Sequence, residues 1–160
     1  WSVAADGAVW RRVVPSPEPR EIVEAPSIRR LVEAGVLVVC AGGGGVPVVR
    51  GPEGVLAGVE AVIDKDLTAA LLAETLAAEA LLLLTDVAAV ETAFGSPDSR
   101  PIRSATPSEL RIHGFPAGSM GPKVEAACRF AERTGGVAAI GALTDAVAVL
   151  EGTAGTRVVA

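Results

Sequence analysis

The amino-acid sequence predicts an α/β fold with a mainly parallel sheet, and two observations lead to that prediction. Half of the 160 residues are hydrophobic but only 3% are aromatic, so the core is built mostly from Ala, Val and Leu. Aliphatic runs of this kind are typical of strands that helices cover on both faces. A buried strand, a helix and a second buried strand follow one another between residues 36 and 85, which is the βαβ pattern.

The first elements are predicted from apolar runs and from the residues that end them. Trp10–Val14 predicts a short strand before a proline-rich turn, and Pro26–Ala34 predicts a helix that Gly35 ends. The unbroken apolar run Val36–Ala41 predicts a buried strand. Four glycines, Gly42–Gly45, follow it directly.

In the middle of the chain the sequence predicts the second half of the βαβ unit. Asp64 is placed to cap a helix that runs to about Ala78. The run Ala80–Thr85 then predicts the next buried strand. Glycines, prolines and polar residues dominate Val87–Ala105, so this segment is expected to be a surface excursion.

The last third predicts three helices and two strands. Thr106 and Glu109 have the spacing of a capping box, with Pro107 at the first helical position. The next helix is expected to be capped by Ser119 and ended by the glycines at 135 and 136. The remaining pattern predicts a strand, a final helix that Thr144 opens, and a closing strand at residues 137–141, 144–151 and 155–160.

Charge and cysteine usage exclude several classes of function. The net charge of −5 provides no basic surface for nucleic acid. The uncharged run Gly35–Val49 is broken by glycines and a proline, so no membrane span is expected and the protein is predicted to be soluble. Cys40 and Cys128 lack zinc-ligand spacing and are expected to be buried thiols. The first residue is Trp1 and the sole methionine is Met120, so we expect the chain to be a fragment.

Two lysines stand out against twelve arginines. Lys65 and Lys123 each lie at the predicted start of a helix, where a cation is disfavoured by about 0.3–1 kcal/mol unless an anion offsets it. A single bound polyphosphate would satisfy both lysines. The alternative for Lys65 is a solvated charge beside a capping Asp64 and a favourably placed Asp66.

The second lysine follows a glycine turn, and a glycine loop and an acidic residue provide further candidates. Residues 118–123 suit a phosphate although they are not a Walker loop. Gly42–Gly45 form either a tight turn or a site at which backbone amides bind an anionic substrate. Asp86 ends the second strand of the βαβ unit, where open α/β sheets bind ligands, or it serves only as a cap or turn. His113 is expected to be structural, so acyl-transfer and zinc chemistry lack support.

Six segments together resemble the carbamate kinase branch of the amino acid kinase family. They are WRRVVPSPEPREIVE, AGGGGVPVV, GVEAVIDKDLTAALLAE, LLLLTDV, SMGPKVEAACRF and GTAGTRV, and the resemblance runs over nearly all 160 residues. It covers only the second part of such an enzyme. The family's opening glycine-rich phosphate loop and a further lysine have no counterpart here.

The resemblance implies a fold, a division into lobes and a reaction. The fold would be a three-layer αβα sandwich, with residues 1–63 forming the tail of the acceptor-binding lobe and residues 64–160 the nucleotide-binding lobe. The reaction would be reversible phosphoryl transfer between ATP and carbamate, giving ADP and carbamoyl phosphate, in arginine metabolism. Mg²⁺ would accompany ATP or ADP, and the whole enzyme would be a cytoplasmic homodimer.

The resemblance also assigns roles to particular residues. Lys65, Asp66 and Lys123 would be catalytic, with Asp66 orienting the two phosphate-binding lysines. Gly43, Gly44 and Gly45 would lie beside carbamate. The implied nucleotide-binding residues are Asp86, Val87, Met120, Gly121 and Lys123. No protein side chain is implied as a metal ligand.

Two other functions remain open at the level of sequence. Another amino acid kinase could use a different acceptor, such as an acylamino acid or a nucleoside monophosphate. A non-catalytic remnant kept for folding or dimerisation is the other, because Ala88 and Glu91 replace an acid and a tyrosine that carbamate kinases often carry. As a fragment, the chain is expected to bind nucleotide but to be poorly active alone.

Overall fold

The computed structural model describes residues 2–116 and 118–160. Within them lie ten strands and five helices, with a short 3₁₀ turn at Leu143–Asp145. The strands are β1 Ser2–Asp6, β2 Val9–Val13, β3 Val48–Arg50, β4 Leu56–Gly58, β5 Ala80–Thr85, β6 Glu91–Thr92, β7 Arg100–Pro101, β8 Ser104–Ala105, β9 Val137–Ala142 and β10 Thr156–Val158. The helices are α1 Ala25–Glu33, α2 Lys65–Thr75, α3 Pro107–Ile112, α4 Met120–Thr134 and α5 Ala146–Glu151.

A four-stranded sheet in the order β5, β9, β10, β8 forms the centre of the fold. β5 pairs with β9 in parallel, β9 with β10 antiparallel, and β10 with β8 in parallel. Three separate two-stranded hairpins, β1–β2, β3–β4 and β6–β7, complete the strand pairing of the described residues. The predicted α/β class with a mostly parallel sheet is confirmed.

Alternation along β9 shows that helices cover both faces of this sheet. Ala138 and Ile140 are fully buried in the main core, which also contains Phe130 of α4 and Ala70 of α2. Gly141 points to the other face, because a Cβ atom there would lie 2.5 Å from a methyl group of Val149 in α5. α2 and α4 therefore form one outer layer and α5 the other, which is the predicted three-layer arrangement.

Several predicted helix boundaries are confirmed by their hydrogen bonds. The Asp64 carboxylate accepts from the backbone N–H groups of Asp66 and Leu67 at 2.8 and 3.0 Å. Thr106 and Glu109 form both halves of the predicted capping box. Gly135 ends α4 with φ 69°, a left-handed conformation that glycine adopts without strain.

Three details of the helix predictions were wrong. Ser119 occupies the position before α4, but its side chain makes no capping hydrogen bond. The helix that follows Asp64 ends at Thr75 rather than near Ala78. Thr144 lies inside the 3₁₀ turn, so the last α-helix begins only at Ala146.

The prediction of a buried strand at Val36–Ala41 was also wrong. This segment has no regular secondary structure, and Leu37 and Val39 are 93% and 95% exposed. A strand is defined by hydrogen bonds to a neighbour, and no strand of the described residues pairs with this run. Its apolar sequence is suited to burial on both faces, but among residues 2–116 and 118–160 no strand pairs with it and the side chains of Leu37 and Val39 are left uncovered.

The strands that the sequence missed are short, and most of them lie in hairpins. The exception is β8, at the end of the predicted surface excursion, which pairs with β10 in the central sheet. The predicted strand at residues 10–14 is present as β2 but pairs with β1, which precedes it. β3 and β4 form a second hairpin. The excursion after β5 is anchored by Ala89 and Val90, both of which are buried. Within residues 2–116 and 118–160, no helix is long and apolar enough to cross a membrane.

Candidate functional site

The beginning of α2 brings a lysine and an aspartate into one helical turn. Asp64 occupies the capping position, which fixes Lys65 as the first helical residue and Asp66 as the second. The Asp66 carboxylate is favoured there because a helix N-terminus carries roughly half a positive charge. The Lys65 ammonium is disfavoured by the same charge.

The beginning of α4 places the second lysine near another helix N-terminus. Gly121 donates its N–H to the carbonyl oxygen of Pro116 at 2.9 Å. A Cβ atom at Gly121 would lie only 2.7 Å from that oxygen, so a larger residue would push the preceding loop away. This close turn starts the helix at Met120 and puts Lys123 in its first turn.

Packing of α2 against α4 brings the two lysines to the same carboxylate. Lys123 Nζ lies 2.8 Å from Asp66 Oδ2, and Lys65 Nζ lies 3.5 Å from that oxygen. The two ammonium groups cannot be further apart than these distances combined, which is within the span of a chain of phosphates. The structure thus brings together Lys65, Asp66 and Lys123, the three residues predicted to be catalytic.

The charges of this cluster leave an excess of positive potential. Two ammonium groups face the Asp66 carboxylate, and the N-termini of α2 and α4 add two partial positive charges, while the capping carboxylate of Asp64 offsets the charge at α2. The Lys123 and Asp66 side chains are only 12% and 9% exposed, whereas that of Lys65 is 58% exposed. Asp66 therefore holds Lys123 in place, and the cluster as a whole remains suited to an anion.

The glycine loop is tied to the same end of α2. Thr68 is buried in the first turns of the helix, and its hydroxyl group donates to the carbonyl oxygen of Gly44 at 3.0 Å. Gly44 has a φ of 130°, and a Cβ atom there would lie 2.0 Å from the carbonyl oxygen of Ile63. Only glycine allows the loop to pack this closely against the start of the helix.

Hydrogen bonds inside the loop determine which of its amides remain for a ligand. The N–H groups of Gly42 and Gly44 donate to the carbonyl oxygens of Cys40 and Ala41, each at 2.8 Å. Those of Gly43 and Gly45 make no backbone hydrogen bond to any of the residues the structure describes. Gly44 therefore shapes the loop, and its two neighbours are its available donors.

The predicted residues after β5 border a different feature. Asp86 is exposed and accepts a hydrogen bond from the hydroxyl group of Thr85 at 3.0 Å. It lines a cavity of about 320 Å³ at the carboxyl ends of β5 and β9. The cavity is lined by Leu84, Thr85, Asp86, Ala142, Leu143 and Thr144. The other predicted nucleotide-binding residues, Val87, Met120, Gly121 and Lys123, are not part of this lining.

Other reactive groups of the described residues lie outside this cluster. His113 ends α3 and is exposed, with its ring 6.0 Å from that of Phe115. Burial raises the pKa of the Cys128 thiol to about 11, which keeps it protonated at neutral pH. Cys40 is only partly buried, so the expectation of two buried thiols was half right.

Sequence reasoning missed the residues that join parts of the site. Thr68 lies four positions after the capping Asp64, a spacing that places its hydroxyl group against the first turn of α2 but does not indicate the contact with the glycine loop. Thr144 follows β9 and lines the cavity at the carboxyl ends of β5 and β9. Its position at this cavity could have been expected only if the pairing of β9 with β5 had been known. The sequence gives no signal for the pairing of these two strands.

Comparison with known proteins identifies the family. A model of the amino acid kinase family matches residues 2–141. The chain belongs to the amino acid kinase family. It is 53% identical over 158 residues to a carbamate kinase of Rhizobium meliloti and 50% identical over 158 residues to one of Haemophilus influenzae. These alignments cover 98% and 99% of this chain but 49% and 51% of the relatives.

A solved amino acid kinase structure shows the same fold. The carbamate kinase of Giardia lamblia, bound to AMP-PNP, matches 99% of this chain with a TM-score of 0.91 and 45% sequence identity. The match covers 51% of that structure. The sequence resemblance to carbamate kinases is thus confirmed, and the chain spans about half the length of the curated relatives it matches.

Proposed function

We propose that the protein to which this chain belongs transfers a phosphoryl group reversibly between ATP and carbamate. The observation that carries the proposal is the convergence of Lys65 and Lys123 on Asp66 at two helix N-termini. The roughly 50% identity to carbamate kinases and the AMP-PNP complex of the Giardia lamblia enzyme support it. In this proposal residues 1–63 belong to the acceptor-binding lobe and residues 64–160 to the nucleotide-binding lobe.

The cluster of Lys65, Asp66 and Lys123 would bind the phosphate groups of ADP and of carbamoyl phosphate, between which the phosphoryl group is transferred. The β-phosphate oxygen of ADP attacks the phosphorus of carbamoyl phosphate, the bond from phosphorus to the carbamoyl oxygen breaks, and carbamate leaves. Negative charge on the transferred group is stabilised by the ammonium groups of Lys65 and Lys123. Asp66 keeps both ammonium groups aimed at that group. Carbamate is already an anion, so the reaction needs no general base.

The glycine loop and the region around β5 would hold the two substrates. The free N–H groups of Gly43 and Gly45 are suited to the carboxylate of carbamate, with Gly44 fixing the loop beside α2. Asp86 would contact the nucleoside at the cavity beside the carboxyl ends of β5 and β9. Val87 follows Asp86 outside the lining of that cavity and would contact the nucleoside next to it. Met120 and Gly121 would contact the nucleotide at the start of α4.

Magnesium would enter with the nucleotide. Among residues 2–116 and 118–160 no three His, Cys, Asp or Glu side chains are grouped closely enough to hold a metal ion. Mg²⁺ commonly binds through phosphate oxygens with one or two carboxylates, so such a cage is not required. When bound, the ion neutralises charge on the phosphates.

Calorimetric titration with Mg-ADP tests the nucleotide part of the proposal. We expect Lys123→Ala to weaken binding to the 160-residue chain at least tenfold, because it removes a charged contact to phosphate. Arg133→Ala is the matched control, since Arg133 lies at the other end of α4 in an exposed pair with Glu74. Equal affinities of the wild type and Lys123→Ala for Mg-ADP would contradict the proposal.

The acceptor is tested on the whole protein. ATP formation from ADP and carbamoyl phosphate is measured beside ATP-dependent phosphorylation of an acylamino acid and of a nucleoside monophosphate. We expect ATP formation from carbamoyl phosphate alone. Turnover with another acceptor would indicate a different kinase, and no turnover with any of them would indicate a non-catalytic remnant.

A further inference from the structure

The excursion that follows β5 is closed at its neck by the hydroxyl group of one threonine. Thr156 Oγ1 accepts a hydrogen bond from the N–H of Val90 at 2.8 Å and donates one to the carbonyl oxygen of Ile102 at 2.5 Å. The N–H of Ile102 in turn donates to the carbonyl oxygen of Val90 at 2.8 Å. Three hydrogen bonds among Val90, Ile102 and Thr156 thus join the two ends of residues 90–102, and we call these three residues the neck.

This arrangement is buried and rigidly placed. Thr156 and Val90 are fully buried, so water cannot replace a lost hydroxyl group. Thr156 belongs to β10 and pairs with Ile140 of β9, so the central sheet fixes the position of its side chain. Removing the hydroxyl would leave the N–H of Val90 without a partner in an apolar interior.

The neck also determines where the segment before it lies. Residues 86–89 run directly from the end of β5 to Val90. Both ends are therefore fixed, one by the parallel pairing of β5 with β9 and the other by Thr156. The carbonyl oxygen of Ala88 lies against Gly141 between them, 3.5 Å from the position of a Cβ atom there. We call residues 86–89 the bridge, and Asp86 and Val87 are its first two residues.

We propose that Thr156 is a positioning residue for the nucleotide-binding site, which it serves by holding the bridge that carries Asp86 and Val87. This inference rests on the proposed function, in which those two residues contact the nucleoside. Thr156 is too deeply buried to contact the ligand and acts through the bridge.

The test compares Thr156→Val, which keeps the shape but removes the hydroxyl, with Thr156→Ser, which keeps the hydroxyl. Dissociation constants for Mg-ADP and amide hydrogen exchange of residues 86–90 are measured on the folded 160-residue chain. We expect Thr156→Val to weaken Mg-ADP binding about tenfold and to speed exchange in this segment, because a buried N–H loses its partner. Thr156→Ser is expected to stay within about twofold of the wild type.

A control separates positioning from general loss of stability. Val158→Ala creates a cavity in the same strand at an equally buried residue that takes no part in the three hydrogen bonds of the neck. We expect it to lower the free energy of unfolding while leaving the affinity for Mg-ADP unchanged. If Thr156→Val does not fold, Thr156→Ala takes its place in the comparison.

Each outcome bears on a different claim. The positioning role would be overturned if Thr156→Val bound Mg-ADP as tightly as the wild type. It would also be overturned if Thr156→Ser and Val158→Ala lost as much affinity for Mg-ADP as Thr156→Val does. If the wild type itself does not bind Mg-ADP, the proposed nucleotide site fails. Hydrogen exchange alone then decides whether Thr156 holds residues 86–89 in place. Unchanged exchange at Asp86 and Val87 in the hydroxyl-free variant would overturn the inference.

Discussion

Gly43 and Gly44 are adjacent and chemically identical, yet the structure gives them different tasks. Gly44 lies against the backbone of Ile63 in a left-handed conformation, whereas a Cβ atom at Gly43 would meet nothing within 4 Å. The sequence shows only that four glycines follow one another. Contact between the loop and α2 decides which of them must be glycine.

Replacing each of these glycines by alanine separates the two tasks. We expect Gly44→Ala to lower the free energy of unfolding by about 1–3 kcal/mol, because it combines backbone strain with a clash against the carbonyl oxygen of Ile63. Gly43→Ala is the matched control and is expected to change it by less than about 0.5 kcal/mol. Urea denaturation followed by circular dichroism measures both, and equal effects would contradict the assignment.

The N-termini of α2 and α4 position the candidate catalytic residues Lys65, Asp66 and Lys123. α2 begins with a capping aspartate and α3 with a capping box, and both were predicted from short local patterns. α4 begins without a side-chain cap, at a close approach between Gly121 and Pro116. Side-chain caps therefore determine where α2 and α3 begin, and a close backbone turn in the preceding loop determines where α4 begins.

The capping box of α3 predicts a pH dependence of stability. Hydrogen bonds from the backbone N–H and then the hydroxyl of Thr106 lower the pKa of Glu109. Because the folded pKa lies below the unfolded one, this stabilisation is fully present above the ordinary Glu value of about 4.3 and is lost as the pH falls through the folded pKa. Glu109→Ala should therefore destabilise the chain more at pH 7 than at pH 3.

Urea denaturation of the wild type and of Glu109→Ala at the two pH values measures this difference. Glu53→Ala is the control, because Glu53 lies in an exposed turn between β3 and β4. We expect the gap in unfolding free energy between Glu109→Ala and the wild type to narrow at pH 3. A gap of the same size at both pH values would show that ionised Glu109 does not stabilise the helix.

At the scale of the whole molecule, two apolar runs of similar sequence, Val36–Ala41 and Ala80–Thr85, differ in burial. Leu83 in β5 is 3% exposed, whereas Leu37 in the run Val36–Ala41 is 93% exposed. β5 has β9 beside it and helices over it, and the other run has no such neighbours among the described residues. The chain matches only about half the length of its curated relatives, and within it this run contributes little to the core.

Truncating the two leucines tests this contrast. Leu83→Ala is expected to lower the free energy of unfolding by about 2–5 kcal/mol, because it removes buried methyl groups and leaves a cavity. Leu37→Ala should change it by less than about 0.5 kcal/mol, because the side chain is already in water. Chemical denaturation of the 160-residue chain measures both, and a large loss in Leu37→Ala would show that the run is packed in solution.

The sequence alone determined the features that depend on nearby residues. The capped start of α2, the capping box of α3 and the glycine end of α4 follow from hydrogen bonds within a few positions. The α/β class follows from the aliphatic composition and from the buried run that forms β5, although the first strand of the predicted βαβ unit is absent. The candidate lysines were also predicted, because a cation at a helix start conflicts with the helix charge whatever surrounds it.

Only the tertiary structure decided how these pieces meet. It brought Lys65 and Lys123, 58 positions apart in the chain, to one carboxylate oxygen, and it made Thr156 the closure of a distant segment. It also left Val36–Ala41 exposed although its pattern predicts a buried strand. The physical reason is the same in each case: pairing and burial are properties of two surfaces, and a local pattern specifies only one of them.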